Sequence, residues 1–453
     1  MTERVVVVGA GITGLAAAHE ALTRGLDVTV LEASGRAGGK IDSGMIEGAD
    51  VPFPVDMAAD GFLARQPEVV ELCHELGLGD DLVSPTSARA FIWFDGALRS
   101  IPSPSVLGVP FDTESVWASG LIDEAGLADF EARIDAEHPP LVGDASVGEV
   151  LRPRVGDAVF EALIDPLLGG INAGNADGLS INAGATQLAE AARAGGSLRA
   201  ALRAQVDAAQ AVAAGPVFNG VAGGNRRIID ALVAELDGGR VRLGEPATAL
   251  ERDGDRWAVV TDSGHHVAER VVLATPGWVT AGLIAPHAPT AAHVLAGLVY
   301  GDAVLVTFVV STSGLDSDLQ GSGYLVPRSQ GLLTTACSWS SSKWDHYDDG
   351  EHAILRVSAG RSDDDRWLSM PIDRVVDQMT DELQLVMGLH GQAVSRVTEW
   401  RQSLPQYRPG HLDRCDAIDA ELAERAPGVI VAGAQMRGLG LPACVRQGRA
   451  AIG

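Results

Sequence analysis

A short β-branched run followed at once by three regularly spaced glycines constrains the fold of this chain more than any other feature. Residues 5–8 are four valines, the pattern of a buried parallel strand. Gly9, Gly11 and Gly14 follow with Gly-x-Gly-x-x-Gly spacing, and an alanine-rich helical stretch comes next. A second apolar strand then ends at Glu32. Strand, glycine turn, helix, strand and terminal acid together predict a βαβ unit that binds a dinucleotide.

The three glycines have different physical tasks in such a unit. Gly9 permits the tight turn, Gly11 lets the backbone approach a pyrophosphate, and Gly14 lets the helix pack closely on the strand. The first N–H groups of the helix point at the phosphates, and Glu32 accepts hydrogen bonds from a ribose. A signal peptide is the alternative interpretation, since a basic residue, an apolar stretch and small residues occur in that order. It would leave the glycine spacing and the acid as coincidences.

Composition excludes several classes of protein. A chain of 453 residues with a net charge of −26 does not offer nucleic acid a general electrostatic footprint. Its four cysteines are scattered without a Cys-x-x-Cys pair, which argues against disulfides, zinc and iron–sulfur clusters and fits the cytoplasm. The eleven histidines show no metal-ligand spacing, so we expect no metal. No apolar stretch reaches about 18 residues, so we expect no membrane-spanning helix.

Charge is distributed unusually in two respects. Residues 101–150 carry ten acids and one base, Arg133, and an anionic membrane surface would repel them. Only Lys40 and Lys343 of the 34 basic residues are lysines. Because the chain uses arginine wherever a generic positive charge would serve, these two lysines are candidates for special roles, with chance retention as the alternative.

Periodicity predicts a mixture of helices and strands after the first unit. The loop at Arg36, Gly38 and Gly39 is predicted to lie against a phosphate or a planar ring. The last strand precedes a second strand–turn–helix start, so the nucleotide domain is expected to be split by insertions. Helices are predicted at 67–78 and 187–213, the latter broken at Gly195-Gly196, and strands at 240–243, 256–261, 270–274, 304–310, 354–359 and 429–432.

Motifs along nearly the whole chain resemble the flavin-dependent protoporphyrinogen/coproporphyrinogen oxidase family, a branch of the amine-oxidase-like flavoproteins. Besides the first unit, they are Gly35-Arg-Ala-Gly-Gly-Lys-Ile41, Ala59-Asp-Gly-Phe-Leu-Ala-Arg-Gln-Pro-Glu68, the segment 156–174, Ala336-Cys-Ser-Trp-Ser-Ser-Ser-Lys-Trp344, Arg401-Gln-Ser-Leu-Pro-Gln-Tyr407 and the segment 432–444. The Ser-Ser-Lys-Trp form is similar to the bacterial members that act on coproporphyrinogen III.

The resemblance implies an α/β plus α+β fold with three domains. A split Rossmann-like FAD domain would comprise residues 1–60, 220–285 and 409–453. An inserted mixed-sheet substrate domain would comprise residues 61–84, 179–219 and 286–408. A helical domain would comprise residues 85–178.

The resemblance also implies a set of site residues. The FAD contacts would be Gly9, Gly11, Gly14, Glu32, Arg36, Gly38, Gly39, Lys40, Ala247, Gly433, Met436 and Leu441. The candidate substrate contacts are Arg65, Lys343, Arg437 and Asn172. The three cations are chosen because propionates need cations in an acidic protein, and a surface or structural ion pair is the alternative for each. No catalytic side chain is certain, because hydride loss to flavin N5 needs no strong base, and Lys40 and Asn172 are the candidates.

The implied function is oxidation of coproporphyrinogen III to coproporphyrin III in haem biosynthesis, with O₂ reduced to hydrogen peroxide. Ferrochelatase or another enzyme of that pathway is an expected partner. Ala58, Asn172 and Asn225 depart from the family pattern. Three alternatives therefore stay open: a protoporphyrinogen IX oxidase, another flavin amine or carotenoid oxidoreductase, and a flavin-binding partner protein without turnover.

Overall fold

A parallel sheet is assembled from strands that lie far apart in the sequence. The computed structural model describes residues 2–87, 89–212, 215–236 and 238–453. In spatial order, the five strands are Val241–Leu243, Asp27–Glu32, Arg4–Val8, Arg270–Leu273 and Val429–Val431. Every neighbouring pair is parallel, so all five carboxyl ends lie at one edge of the sheet.

The helix after the first strand is almost entirely buried, which explains its alanines. Helix Ile12–Thr23 packs on the sheet, and Gly25 follows it with φ of 74°, a conformation that ends the helix. The last helix, Leu441–Ala450, crosses it so closely that a Cβ atom on Gly448 would lie 2.2 Å from the carbonyl oxygen of Thr13. The predicted βαβ unit and the predicted C-terminal strand–turn–helix are both confirmed.

A seven-stranded mixed sheet forms the second layer. One of its faces packs on helix Ile372–Met387 through the apolar side chains Val375, Met379 and Leu383. In spatial order its strands are Ala393–Pro405, Tyr300–Ser311, His352–Ala359, Thr334–Trp339, Gly323–Leu325, Phe91–Phe94 and Ala97–Ser100.

Smaller sheets and helices complete the described part of the chain. The remaining strands are Phe62–Leu63, Phe218–Val221 and Leu82–Val83; Ala249–Asp253, Arg256–Thr261 and Gly264–Ala268; Ser43–Gly44 and Val55–Asp56; and Ser105–Val106 and Val109–Pro110. The remaining α-helices are Glu68–Glu75, Thr113–Ser119, Glu124–Ile134, Val147–Val155, Asp157–Val159, Asp165–Asn172, Ile181–Gly184, Thr186–Ala194, Leu198–Val212, Arg226–Glu235, Gly277–Ile284, Pro289–Ala296, Ser340–Lys343 and His411–Arg425.

Periodicity located these elements well and their ends less well. The helix predicted at 187–213 is two helices separated at Gly195 and Gly196, both with positive φ, as the glycine pair indicated. Residue 213 lies outside the described residues. The strand predicted at 304–310 is longer, Tyr300–Ser311, because both of its neighbours pair with it over most of that length.

The fold is therefore mixed α/β, as predicted. The boundaries of the three predicted domains stay predictions. In the part of the chain that the structure describes, no helix combines the length and the apolar character needed to cross a membrane.

Candidate functional site

In the first glycine-rich turn, one glycine borders open space and the other two are enclosed by neighbouring backbone atoms. A Cβ atom on Gly14 would lie 1.9 Å from the carbonyl oxygen of Gly9, and one on Gly9 would lie 2.8 Å from that of Ala274. A Cβ atom on Gly11 meets no atom within 4 Å. Gly9 and Gly14 are thus required by packing, whereas Gly11 borders open space. This arrangement fits a cradle for a pyrophosphate.

Glu32 holds its carboxylate beside that turn. Its Oε2 accepts a hydrogen bond from the backbone N–H of Ala10 at 2.8 Å, and its Oε1 accepts from both the N–H and the hydroxyl of Ser34 at 2.8 Å. These bonds fix the carboxylate at the carboxyl edge of the sheet. Oε2, which accepts a single bond, keeps a lone pair for a further donor such as a ribose hydroxyl.

The loop that follows lies directly on the second glycine of the turn. The N–H of Gly38 donates to the carbonyl of Ala10 at 2.8 Å, and a Cβ atom on Gly39 would lie 3.2 Å from the Cα of Gly11. Arg36 donates to the carbonyl of Gly39 at 2.8 Å, so its guanidinium braces the loop itself. The loop therefore presents backbone to the space beside Gly11.

Lys40 lies at the end of this loop. Its Nζ donates to the carbonyl of Ser403, at the end of the long strand Ala393–Pro405. Water reaches the side chain, yet protein surrounds it closely, so burial lowers its pKa while nearby Cys444 opposes this shift. Lys40 thus joins three segments: the loop, the end of the strand and the last helix.

The C-terminal residues predicted to contact a cofactor border the same region. The side-chain oxygen of Gln447, on the last helix, accepts from the N–H of Arg437 at 3.1 Å and lies 3.4 Å from that of Gly433. Met436 is fully buried. Leu441 is the first residue of that helix.

Ala247 lies at the other end of the predicted cofactor set. It follows Glu245, whose N–H donates to the carbonyl of Glu32 at 2.8 Å. The segment before the strand Ala249–Asp253 therefore starts beside Glu32. The structure thus brings both ends of the predicted cofactor set to one edge of the parallel sheet.

The second face of the seven-stranded sheet carries a patch that is only half-buried. Leu305, Ala336, Ser338 and Ser358 share this face, because register pairs Leu305 with Ser358 and Ser358 with Ala336. We call these four residues the open patch. They lie on three adjacent interior strands, where burial is normally complete, so this face keeps an accessible surface. A planar ligand could lie on such a surface.

A buried charge cluster bounds the open patch at one end. Asp60 accepts hydrogen bonds from Lys343 Nζ at 3.1 Å and from Trp344 Nε1 at 3.1 Å, and it pairs with Arg356 Nη1 at 3.0 Å. Arg356 also donates to the carbonyl of Ala58. Burial alone would raise the pKa of Asp60, but Lys343 and Arg356 outweigh it and hold this pKa well below the usual range.

The end of helix Asp165–Asn172 contacts two segments that follow strands of the seven-stranded sheet. The amide of Gln406 donates to the backbone carbonyl of Asn172 at 2.8 Å, and the N–H of Ser362 donates to that of Ala173 at 2.8 Å. The side chain of Asn172 is buried, and its Nδ2 donates to the carbonyl of Leu168 at 2.8 Å. The amide group of Asn172 is therefore engaged within its own helix.

The three predicted substrate cations differ in their surroundings. Lys343 is paired with Asp60, and Arg437 is paired with Asp416 and Asp419 at 2.7 Å each. Arg65 is exposed, and within the described ranges it makes no ion pair. Arg65 is thus the cation whose charge is least engaged by the protein.

Sequence reasoning missed Arg356, Asp60 and Gln406 as site residues. Asp60 and Gln406 lie inside motifs that carried the family resemblance, so the motifs contained the signal. Arg356 lies in an apolar strand, Ile354 to Val357, where a single charged residue is itself a signal of a paired or functional group.

Comparison with known proteins places this architecture among flavoproteins. Residues 12–451 match the family described as flavin containing amine oxidoreductase. The coproporphyrinogen III oxidase of Mycobacterium leprae is 34% identical over 98% of this chain and 96% of its own. The coproporphyrinogen III oxidase of Bacillus subtilis is 29% identical over 99% of this chain and 97% of its own. A crystal structure from Exiguobacterium sp. 255-15, provisionally assigned as a protoporphyrinogen oxidase, is 30% identical with a TM-score of 0.88, over 100% of this chain and 98% of that one.

Proposed function

The chain belongs to the flavin-containing amine oxidoreductase family, and on that premise we propose that it is an FAD-dependent oxidase of coproporphyrinogen III. The observation that carries this proposal is the end-to-end similarity to coproporphyrinogen III oxidases, 34% identical at its highest among the relatives named above. The open patch supports it, since a tetrapyrrole needs a broad surface rather than a narrow slot.

FAD fits the residues at the edge of the parallel sheet. Gly9, Gly11 and Gly14 would cradle the pyrophosphate, and Glu32 would bind the adenosine ribose through the Oε2 lone pair that Ala10 leaves open. We propose that the loop at Arg36 contributes backbone contacts from Gly38 and Gly39. Its guanidinium, engaged with Gly39, would stiffen that loop. Ala247, Gly433, Met436 and Leu441 complete the proposed FAD set.

Bound FAD supplies the redox chemistry, since a flavin takes up a hydride from a methylene bridge of the porphyrinogen. The two pyrroles beside that bridge are electron-rich, so the remaining cation sheds an N–H proton without a strong base. The protein's own residues therefore have to bind and orient the porphyrinogen and to exclude water. Lys40 and Asn172 are the proposed side chains nearest the reacting region, and Arg65, Lys343 and Arg437 the proposed contacts for propionates. We infer O₂ as the final acceptor, with hydrogen peroxide as its product.

A comparison of two substrates tests the proposed substrate. Coproporphyrinogen III carries two more propionates than protoporphyrinogen IX, and each charge-assisted pair at a desolvated site contributes about 1.5–3 kcal/mol. We expect kcat/KM to favour coproporphyrinogen III by at least about tenfold, measured by porphyrin fluorescence under air. Equal kcat/KM values would reject the preference, and a reversed order would favour the protoporphyrinogen alternative.

Replacing Glu32 tests the proposed ribose contact. Glu32→Gln keeps the size of the side chain but removes its charge, so FAD retention should weaken by about 1–3 kcal/mol. Equilibrium dialysis of the purified holoprotein measures this loss. Glu399→Gln is the matched control, because Glu399 makes a surface pair with Arg401. If both variants hold FAD as the wild type does, Glu32 does not bind the ribose.

A further inference from the structure

A polar cavity lies at the end of the seven-stranded sheet, where residues 326–335 turn back beside residues 361–366. Its volume is about 180 Å³, and its lining includes Arg328, Arg361 and Arg366, the acids Asp363 and Asp364, and Thr334 and Thr335. Three guanidinium groups around one small cavity are unusual in a chain with a net charge of −26. The ion-pair partners of each arginine show which of these charges the protein itself neutralises.

Two of the three arginines have carboxylates of their own. Arg328 pairs with Asp165 at 2.8 Å and with Asp363 at 3.0 Å. Arg366 pairs with Asp364 at 2.8 Å. Their charges are neutralised by these partners.

Arg361 is different, because it is buried and poorly paired. Only 4% of its side chain is exposed, and its single hydrogen bond within the described residues goes to the carbonyl of Val326 at 3.1 Å. The nearest carboxylate belongs to Asp165, 3.8 Å away and already engaged by Arg328. Burial accordingly lowers the pKa of Arg361. Arg361 therefore shares Asp165 with Arg328, and its Nε is buried without a hydrogen-bond partner among the described residues, so the guanidinium keeps a donor for an anion from outside the chain.

Thr334 adds a second unengaged donor in the same wall. Its hydroxyl is buried and has no hydrogen-bond partner among the described residues. A hydroxyl and a guanidinium are a donor set that suits a carboxylate.

The cavity also borders the proposed substrate surface. The hydroxyl of Thr335 donates to the backbone carbonyl of Ser358, a member of the open patch, at 3.0 Å. On the other side, Arg328 donates to the carbonyl of Gly174, just beyond Asn172, at 3.0 Å. Thr335 therefore connects the cavity wall to the strand that carries Ser358.

We propose that this cavity is a carboxylate subsite in which Arg361 binds a propionate of the porphyrinogen that lies on the open patch. The proposal rests on the proposed function and adds to it a specificity-determining residue outside the predicted set. Arg328 and Arg366, each paired with its own aspartates, would not bind the carboxylate themselves.

Binding of coproporphyrin III to the holoenzyme tests the subsite without requiring turnover. Porphyrin fluorescence titration should give a Kd that rises at least about tenfold in Arg361→Gln and a few-fold in Thr334→Val. Thr334→Val keeps the side-chain shape and removes a hydroxyl that has no protein partner, so it should fold normally. Arg374→Gln is the control, since Arg374 is an exposed arginine in a surface pair. Steady-state kinetics with coproporphyrinogen III should show higher KM with kcat largely kept.

Esterification separates carboxylate recognition from a general packing defect. The wild type should bind coproporphyrin III more tightly than its tetramethyl ester, and Arg361→Gln should lose part of this discrimination. If Arg361→Gln does not fold, Thr334→Val and the ester comparison decide the matter. Unchanged Kd values in the folded variants would overturn the subsite.

A small carboxylate from solvent is the alternative occupant of this cavity. If sodium propionate raises the melting temperature of the wild type but not of Arg361→Gln, while porphyrin affinity is equal in both, the cavity is a solvent-anion site and the proposal is overturned. If wild-type flavin is not reduced by coproporphyrinogen III although Arg361 still governs coproporphyrin binding, the proposed function fails and the subsite stands.

Discussion

The Gly14→Ala variant is expected to lose FAD and to unfold more easily, because its new methyl group would lie 1.9 Å from the backbone oxygen of Gly9. Backbone atoms cannot move aside as a flexible side chain can. The free energy of unfolding should therefore fall by about 1–3 kcal/mol or more, as it does for an overpacked core. Chemical denaturation of the apoprotein and the flavin content of the purified protein measure the two effects separately.

Gly11→Ala is expected to separate those effects. Gly11 has φ of −72°, and its Cβ position meets no atom within 4 Å, so alanine should cost less than about 1 kcal/mol of stability. Its methyl group would nevertheless occupy the space in which a pyrophosphate must approach, so FAD should be lost. Gly35→Ala is the control, because Gly35 lies in an exposed loop and its Cβ position also meets no atom within 4 Å. This variant should keep both its stability and its FAD. Full flavin content in Gly11→Ala would contradict the proposed cradle.

The Asp60→Asn variant is expected to be destabilised by about 3–5 kcal/mol, because Lys343 and Arg356 would be left without their shared buried anion. Only 14% of the Asp60 side chain is exposed, so water cannot replace the lost charge fully. Asp377→Asn is the matched control, since Asp377 pairs with Arg374 at the surface and should cost less than about 1 kcal/mol.

Equilibrium unfolding in urea measures both variants. Equal free energies of unfolding in the two would show that the Asp60 cluster does not hold the segment Ala58 to Asp60 in place. A large loss in Asp60→Asn alone would establish the cluster as the anchor of that segment beside the open patch.

Local patterns made the dinucleotide unit predictable. The glycine turn, its helix and Glu32 lie within 32 consecutive residues, so spacing along the sequence fixes their arrangement in space. The break at Gly195 and Gly196 was equally readable, because positive φ is a local property of the backbone.

Long-range charge pairing was not predictable in the same way. Asp60 meets Arg356 across almost 300 residues, and no periodicity links the two. Lysine scarcity drew attention to Lys343, yet the sequence could not reveal that Asp60 already engages it. For Arg437, the acids at positions 416 and 419 lie one helical turn apart, so a charge pattern existed but its partner could be known only from tertiary packing.

Anaerobic mixing of the purified holoprotein with coproporphyrinogen III tests the central proposal most directly. We predict that the visible absorbance of the oxidised flavin bleaches while porphyrin absorbance appears, and that air restores the flavin. Gly35→Ala should behave as the wild type does. A flavin that dithionite reduces but coproporphyrinogen III leaves oxidised would contradict the proposed function and favour a flavin-binding protein that does not turn over this substrate.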